Sequence, residues 1–223
     1  MGLDYSIITF VRKEKIEDSL NWLNQNSIGD DRITLRLDNE KYVDFLGHYF
    51  NEKSQKIENE KIFYDIDDLD FSTSLIFDID PEIFLSFYNP YSGSPIEDFK
   101  KHFEDWYLGN GKISIGSFDS TINKHKDFDV YTFSFTAVTT SMSVMLHESL
   151  SVKNWIHEFS KVSDSIVTFI DLESSGDKIL YYKGEKVEIL VKDEKRNIKL
   201  EDLENLEENH LYEYYKLTEF YYQ

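Results

Sequence analysis

Apolar positions recur along the chain with two different periods, and each change of period marks a new element. Residues 4–11, Asp-Tyr-Ser-Ile-Ile-Thr-Phe-Val, are short, β-branched and aromatic, which predicts a strand. From Arg12 to Asn26 the period becomes helical. Ile16, Leu20 and Leu23 share one face, and Gly29 follows the stop. Ile33, Leu35 and Leu37 alternate with Thr34 and Arg36, so 32–37 reads as a half-buried strand, with Asp38 as a candidate N-cap behind it. Tyr42, Phe45, Leu46, Tyr49 and Phe50 fall at i, i+3, i+4, i+7 and i+8 and predict an amphipathic helix. Residues 51–61 are polar and read as a loop, before two short apolar runs, Ile62-Phe63-Tyr64 and Ser74–Ile79.

Asp80-Pro81 has a cap followed by a proline at the first helical position, and Asn89-Pro90 stops the short helix it starts. Ser94-Pro95-Ile96-Glu97 is a capping box, with Ile96, Phe99, Phe103 and Trp106 as the stripe behind it and Gly109 or Gly111 at its close. Ile113 and Ile115 begin a strand, and Ser120–Asp127 reads as a loop or wide hairpin. In 128–138, Val130, Thr132, Ser134 and Thr136 fall on one face, and Tyr131, Phe133 and Phe135 on the other. The run Thr139–Met145 reads as a polar loop. Ser149 or Ser151 then caps a helix carrying Val152, Trp155, Ile156, Phe159 and Val162. Three short strands follow, Ile166–Leu172, Ile179–Tyr182 and Val187–Val191, joined by tight turns. The order predicts an α+β fold, a mixed or mainly antiparallel sheet with about four to six helices packed on it and a hairpin meander in the C-terminal third. A single domain over 1–223 is expected, with 90–94 as the one candidate cut.

Charge changes this picture more than size does. The 223 residues hold 43 Asp+Glu against 24 Lys+Arg, a formal net charge of −19. Such a surface repels nucleic acid and anionic lipid and attracts cationic partners. A hydrophobic fraction of 40% with 16% aromatics separates the chain from disordered acidic proteins. No apolar run approaches the ~18–20 residues that span a bilayer. The absence of Cys excludes disulfides, thiolate metal sites and cysteine nucleophiles and fits a reducing compartment, so a cytoplasmic protein is expected.

Few strings carry chemistry. Leu75-Ile76-Phe77-Asp78-Ile79-Asp80, an apolar strand ending in Asp-x-Asp, resembles the first motif of the haloacid dehalogenase-type phosphotransferases. That resemblance implies Asp78 as nucleophile, with Asp78 and Asp80 holding Mg²⁺. It covers about six residues, and Pro81-Glu82 stands where the family has Gly-Thr. The reading preferred on local grounds is that Asp80 caps the helix at Pro81. Asp65, Asp67, Asp68, Asp70, Asp78, Asp80 and Glu82 form an acidic stretch without Lys or Arg, and four of these carboxylates converge if their strands are neighbours. Asp171 to Asp177 has the spacing of half a calcium loop. Lys178 and Tyr182 stand where such a loop has an apolar residue and Glu, so the segment reads as a hairpin turn. The six His form no metal-binding spacing, and Ser141, Ser143 and His147 lack a nucleophile elbow.

The segment 193–223 is acidic and then rich in tyrosine. It is expected either to dock on the body or to display its rings to a partner. The expected function is therefore an acidic protein-binding module of the immunity or antitoxin type, an inhibitor of a basic partner protein. Asp65, Asp67, Asp68 and Asp70 are its candidate cationic-partner surface, and Tyr214, Tyr215, Tyr221 and Tyr222 its anchors if the tail is displayed. The alternatives are a magnesium-dependent phosphohydrolase on Asp78 and Asp80, and a structural protein that self-associates through the terminal tyrosines.

Overall fold

The computed structural model describes residues 2–37, 41–58, 60–83, 103–205 and 207–221. Asp38, Asn89-Pro90, the capping box at 94–97, the candidate cut at 90–94 and Tyr222 lie outside these residues.

The first strand, β1 (Ser6–Arg12), leads through a short 3-10 turn into α1 (Ile16–Asn26). Then come β2 (Ser27–Ile28), β3 (Asp31–Arg36), β4 (Tyr42–Gly47), β5 (Tyr49–Phe50), β6 (Gln55–Glu58), β7 (Lys61–Asp65) and β8 (Asp68–Asp78). Strands β9 (Tyr107–Gly109), β10 (Lys112–Lys124) and β11 (Val130–Ala137) precede α2 (Thr140–Glu148) and α3 (Leu150–Val162). The meander β12 (Val167–Asp171), β13 (Asp177–Tyr182) and β14 (Glu185–Val191) is followed by α4 (Tyr212–Tyr221).

The fold is α+β. A ten-stranded antiparallel sheet runs β14-β13-β12-β1-β11-β10-β8-β2, with β5 also on β8 and β9 on β10. A second, mixed sheet runs β4-β3-β7-β6, with β3 and β7 parallel. Alternation in the central strands gives each face of the large sheet its own core. Ile7 and Val11 of β1 and Tyr131, Phe133 and Phe135 of β11 pack with α1, α2 and α3. Trp22 meets Trp155 at 5.0 Å between ring centres, joining α1 to α3. On the opposite face Ile8 and Phe10 pack with Val167, Phe169, Ile179 and the C-terminal segment. Each fully buried ring of this kind contributes roughly 1.5–3 kcal/mol by leaving water.

Four local expectations are corrected. Residues 42–50 are not a helix. They form β4 and β5, with β4 paired antiparallel to β3 from Arg36↔Tyr42 to Asp31↔Gly47. The i, i+3, i+4 spacing was compatible with a helix, but Gly47 packs its backbone against Gly29. A Cβ on Gly29 would lie 2.3 Å from the Gly47 nitrogen. Asn24 of α1 seals the outer edge of β4: its Nδ2 donates to the Asp44 carbonyl at 2.8 Å and its Oδ1 accepts from the Leu46 amide at 3.0 Å. The polar stretch 51–61 holds a 3-10 turn, Glu52–Ser54, and the edge strand β6. Strand β10 continues to Lys124, because Asn123 and Thr121 pair with both β8 and β11. The run after Thr139 is helix α2, since the Thr139 hydroxyl accepts the Met142 amide at 3.2 Å as an N-cap.

Candidate functional site

The two outer-face halves of the large sheet differ. Over β1, β12 and β13 the C-terminal segment lies on the sheet and buries Leu203, Leu211, Tyr214, Tyr215 and Leu217. The spacing Leu211, Tyr214, Tyr215, Thr218 is the inward stripe of α4, so Tyr214 and Tyr215, at 0% and 1% exposure, are core residues and are not displayed to a partner. Tyr221 ends the helix at 36% exposure, its hydroxyl hydrogen-bonded to that of Ser134.

The attachment is electrostatic as well as apolar. Asp171 and Asp177 are cross-strand partners on β12 and β13. One guanidinium nitrogen of Arg196 donates to both carboxylates at 2.6 Å and to the Gly176 carbonyl at 2.5 Å. The Tyr214 hydroxyl donates to the other oxygen of the fully buried Asp177 at 2.5 Å. Burial first, and then the Asp177 charge, push the Tyr214 pKa up, so the phenol stays protonated as a donor. The oxygen cluster with calcium-like spacing is thus a receptor for an internal arginine. Backbone geometry agrees with the turn: Gly176 has φ +106°, and a Cβ there would strike the Val191 carbonyl at 2.1 Å.

Over β10 and β8 no helix of the described residues covers the face, while on β11 Val130 packs with the C-terminal segment and Thr132 and Ser134 are buried beside Tyr221. The register sets three rows across these strands. Thr132, Asn123 and Asp68 form one row, Ser134, Thr121 and Asp70 the next, and Thr136, Asp119 and Ser72 the third. Tyr49 of β5, 60% exposed, stands beside Ser72 at the far border. Asp68, Asp70 and Asp119 are all exposed. None of the three is in an ion pair among the described residues, and no position in the rows is Lys or Arg. Asn51 donates to Asp70 at 3.1 Å. At the Tyr221 end a cavity of about 430 Å³ is lined by Asn123, Thr132 and Tyr221, among others.

The four candidate aspartates therefore divide. Asp65 accepts from Arg36 at 2.9 Å, and Asp67 holds Lys124 at 3.1 Å and the Tyr131 hydroxyl at 2.7 Å. These two join elements together, while Asp68 and Asp70 point from the open face. Asp119 belongs to the same face and was missed, because only strand register brings 119 beside 70. The face itself was legible, since the alternation in 128–138 puts Thr132, Ser134 and Thr136 together.

The candidate metal ligands are separated and engaged. Asp78 lies at the opposite end of β8 from Asp68, about 33 Å along an extended strand, so the carboxylates do not converge. It pairs with Lys112 at 2.7 Å. Both Asp80 oxygens accept hydrogen bonds, one from the Ile83 amide at 2.8 Å, the other from the Ser149 hydroxyl at 2.6 Å and the Ser151 amide at 2.8 Å. Burial raises its pKa, and these bonds together outweigh burial and hold the carboxyl below its usual range. Asp80 is a cap at Pro81 that also ties the start of α3 to the end of β8. Among the described residues no group of three or more His, Asp or Glu could hold a metal ion. The Ser143 hydroxyl is buried and donates to the Leu3 carbonyl at 2.7 Å, a structural bond rather than a nucleophile's setting. Among the described residues no helix is long and apolar enough to cross a membrane.

No family model matches the chain, and no curated protein or solved structure matches it.

Proposed function

We propose that this chain is an acidic protein-binding module that takes a basic partner protein on the open half of its large sheet, as an inhibitor of the immunity or antitoxin type acting in the cytoplasm. The observation that carries the reading is the row geometry: Asp68, Asp70 and Asp119 stand exposed on one face with no cation among them. A solvated sheet face is polar in any antiparallel sheet. This one adds three carboxylates that form no ion pair among the described residues, in a chain whose net charge of −19 supplies long-range attraction. Tyr49 at the border offers an aromatic contact of the kind that anchors interfaces.

The experiment is capture from the native host lysate at low salt, released by a salt step, with wild type beside an Asp68→Asn, Asp70→Asn, Asp119→Asn variant. A stoichiometric basic protein retained by wild type and lost by the variant supports the reading. A partner retained equally by both, or released equally at low and high salt, counts against it.

A further inference from the structure

A serine, a histidine and an aspartate from three separate segments meet at the edge of the large sheet, where β2 and β5 pair with β8. We infer that Ser74 is a nucleophile, His48 its base and Asp30 the group that orients the base, and that the chain hydrolyses a carboxylic ester with an aromatic or other flat acyl group there. This activity is separate from partner binding and uses none of Asp68, Asp70 or Asp119.

The two hydrogen bonds run in the required sense. His48 Nδ1 lies 2.8 Å from an Asp30 oxygen, and Nε2 lies 3.0 Å from the Ser74 Oγ. An ionised carboxylate only accepts, so the neutral ring carries its proton on Nδ1 and donates it to Asp30. Nε2 is then an acceptor, and the Ser74 hydroxyl donates to it. A base that takes a proton from a serine is placed in this way. The bond from His48, with a smaller contribution from the Asp30 backbone amide, holds the Asp30 carboxyl below its usual range and keeps it ionised. The hydroxyl of Ser143 differs, since it donates to a carbonyl that takes no proton.

The backbone fixes all three members. Gly29 packs against Gly47, and this contact brings together the residues that follow each, Asp30 and His48. The His48 amide donates to the Ser72 carbonyl at 2.8 Å, which sets the ring beside the outward side chain two residues on, Ser74. Ser74 is 7% exposed, and the His48 side chain 30%. Across from Ser74 the ladder breaks. Strand β10 shifts register between Ser114 and Ser117, with Gly116 at φ +131°. Such bulges are frequent beside active sites, where an extra residue leaves the ladder.

A cavity of about 630 Å³ starts at the next residues in the chain, Asp31 and Tyr49. Tyr49, Phe50, Tyr64 and Ile33 give it aromatic and apolar walls, and charged side chains of both signs share the lining. A flat acyl group fits among such rings. In the reaction Ser74 Oγ bonds to the acyl carbon as its proton passes to His48 Nε2. That proton goes to the departing alkoxide, which leaves as the alcohol. Water then adds to the acyl-serine through the same base, releasing the carboxylic acid and restoring the Ser74 hydroxyl.

The test treats the full chain with a fluorophosphonate, whose phosphorus bonds to a nucleophilic serine as fluoride leaves, and maps the adduct by peptide mass spectrometry. Release of p-nitrophenol from p-nitrophenyl benzoate is followed in parallel. One adduct is expected, on Ser74, with ester turnover that is lost in Ser74→Ala. His48→Gln and Asp30→Asn should each slow labelling and turnover, the first by about 10²-fold. The Asp30 side chain is 78% exposed, so Asp30→Asn keeps the fold and decides the matter if Ser74→Ala does not fold. No adduct, an adduct on another residue, labelling of Ser74 without turnover, or labelling at an unchanged rate in His48→Gln and Asp30→Asn overturns the proposal.

Discussion

On the β12–β13 half of the outer sheet face, a buried cation lies between two carboxylates and a helix covers them. On the β8–β10 half, three carboxylates face water with neither among the described residues. Both halves are built from the same alternation, with even-numbered positions of β1, β11 and β8, and their cross-strand partners on β12 and β10, pointing outward. What differs is the residue type at those positions. Ile8, Phe10 and Phe169 demand a cover, whereas Thr136, Asp70 and Asp119 tolerate solvent. One strand frame can thus supply a core and a recognition surface side by side. Substitutions in the two halves should separate stability from binding.

The covered half should give the largest stability changes. Arg196→Ala leaves Asp177 buried without its cation and should lower unfolding free energy by about 3–5 kcal/mol in a urea titration. A loss under ~1 kcal/mol would mean that the segment is held by apolar contact alone. Tyr214→Phe removes only the donor to Asp177, with an expected loss of about 1–3 kcal/mol by the same measurement. Asp80→Ala, away from both halves, removes a cap and the tie to Ser149 and Ser151, and should lose about 1–2 kcal/mol. Because the folded-state pKa of Asp80 is depressed, its stabilisation is present above the unfolded value near 3.9 and lost as pH falls through the folded one. The Asp80→Ala loss measured at neutral pH should therefore shrink in acid.

A smaller effect tests the α3 side. His157 bonds the Leu180 carbonyl through Nε2, its Nδ1 is buried without a partner, and burial is the main cause holding its pKa below the usual value. Its neutral form is favoured in the folded state. Stability should fall as pH drops below about 6.5, and His157→Gln should flatten that slope in thermal melts. The smallest stability effect belongs to the open half, where Asp70→Asn and Asp119→Asn should each stay within about 0.5 kcal/mol of wild type. A large loss there would make the open carboxylates structural and break the contrast.

Much of this arrangement could be read from spacing. The stripe Ile16, Leu20, Leu23 and the alternation in 128–138 placed α1 and both faces of β11 correctly, because each buries one side only. Where a spacing fits two periods, tertiary contact decides. Tyr42 to Phe50 could have formed a helix, but β3 needed a partner and Gly29 needed Gly47. The fate of the tyrosines was legible too, since Leu211, Tyr214, Tyr215 and Thr218 already form a helical stripe. Asp119 was beyond reach for another reason: a strand's own residues do not say which strand lies beside it. Arg36 and Lys124, far away in sequence, likewise occupy Asp65 and Asp67.

The central place of β1 bears on the order of events as the chain is made. Its neighbours are β11 and β12, and the Ser6 hydroxyl meets that of Thr136 across 130 residues of sequence. During synthesis the apolar run Ile7 to Val11 has neither partner until β11 emerges. Such distant pairing makes for slow folding, and for an interval in which a bare sticky strand must be kept from its neighbours on the polysome.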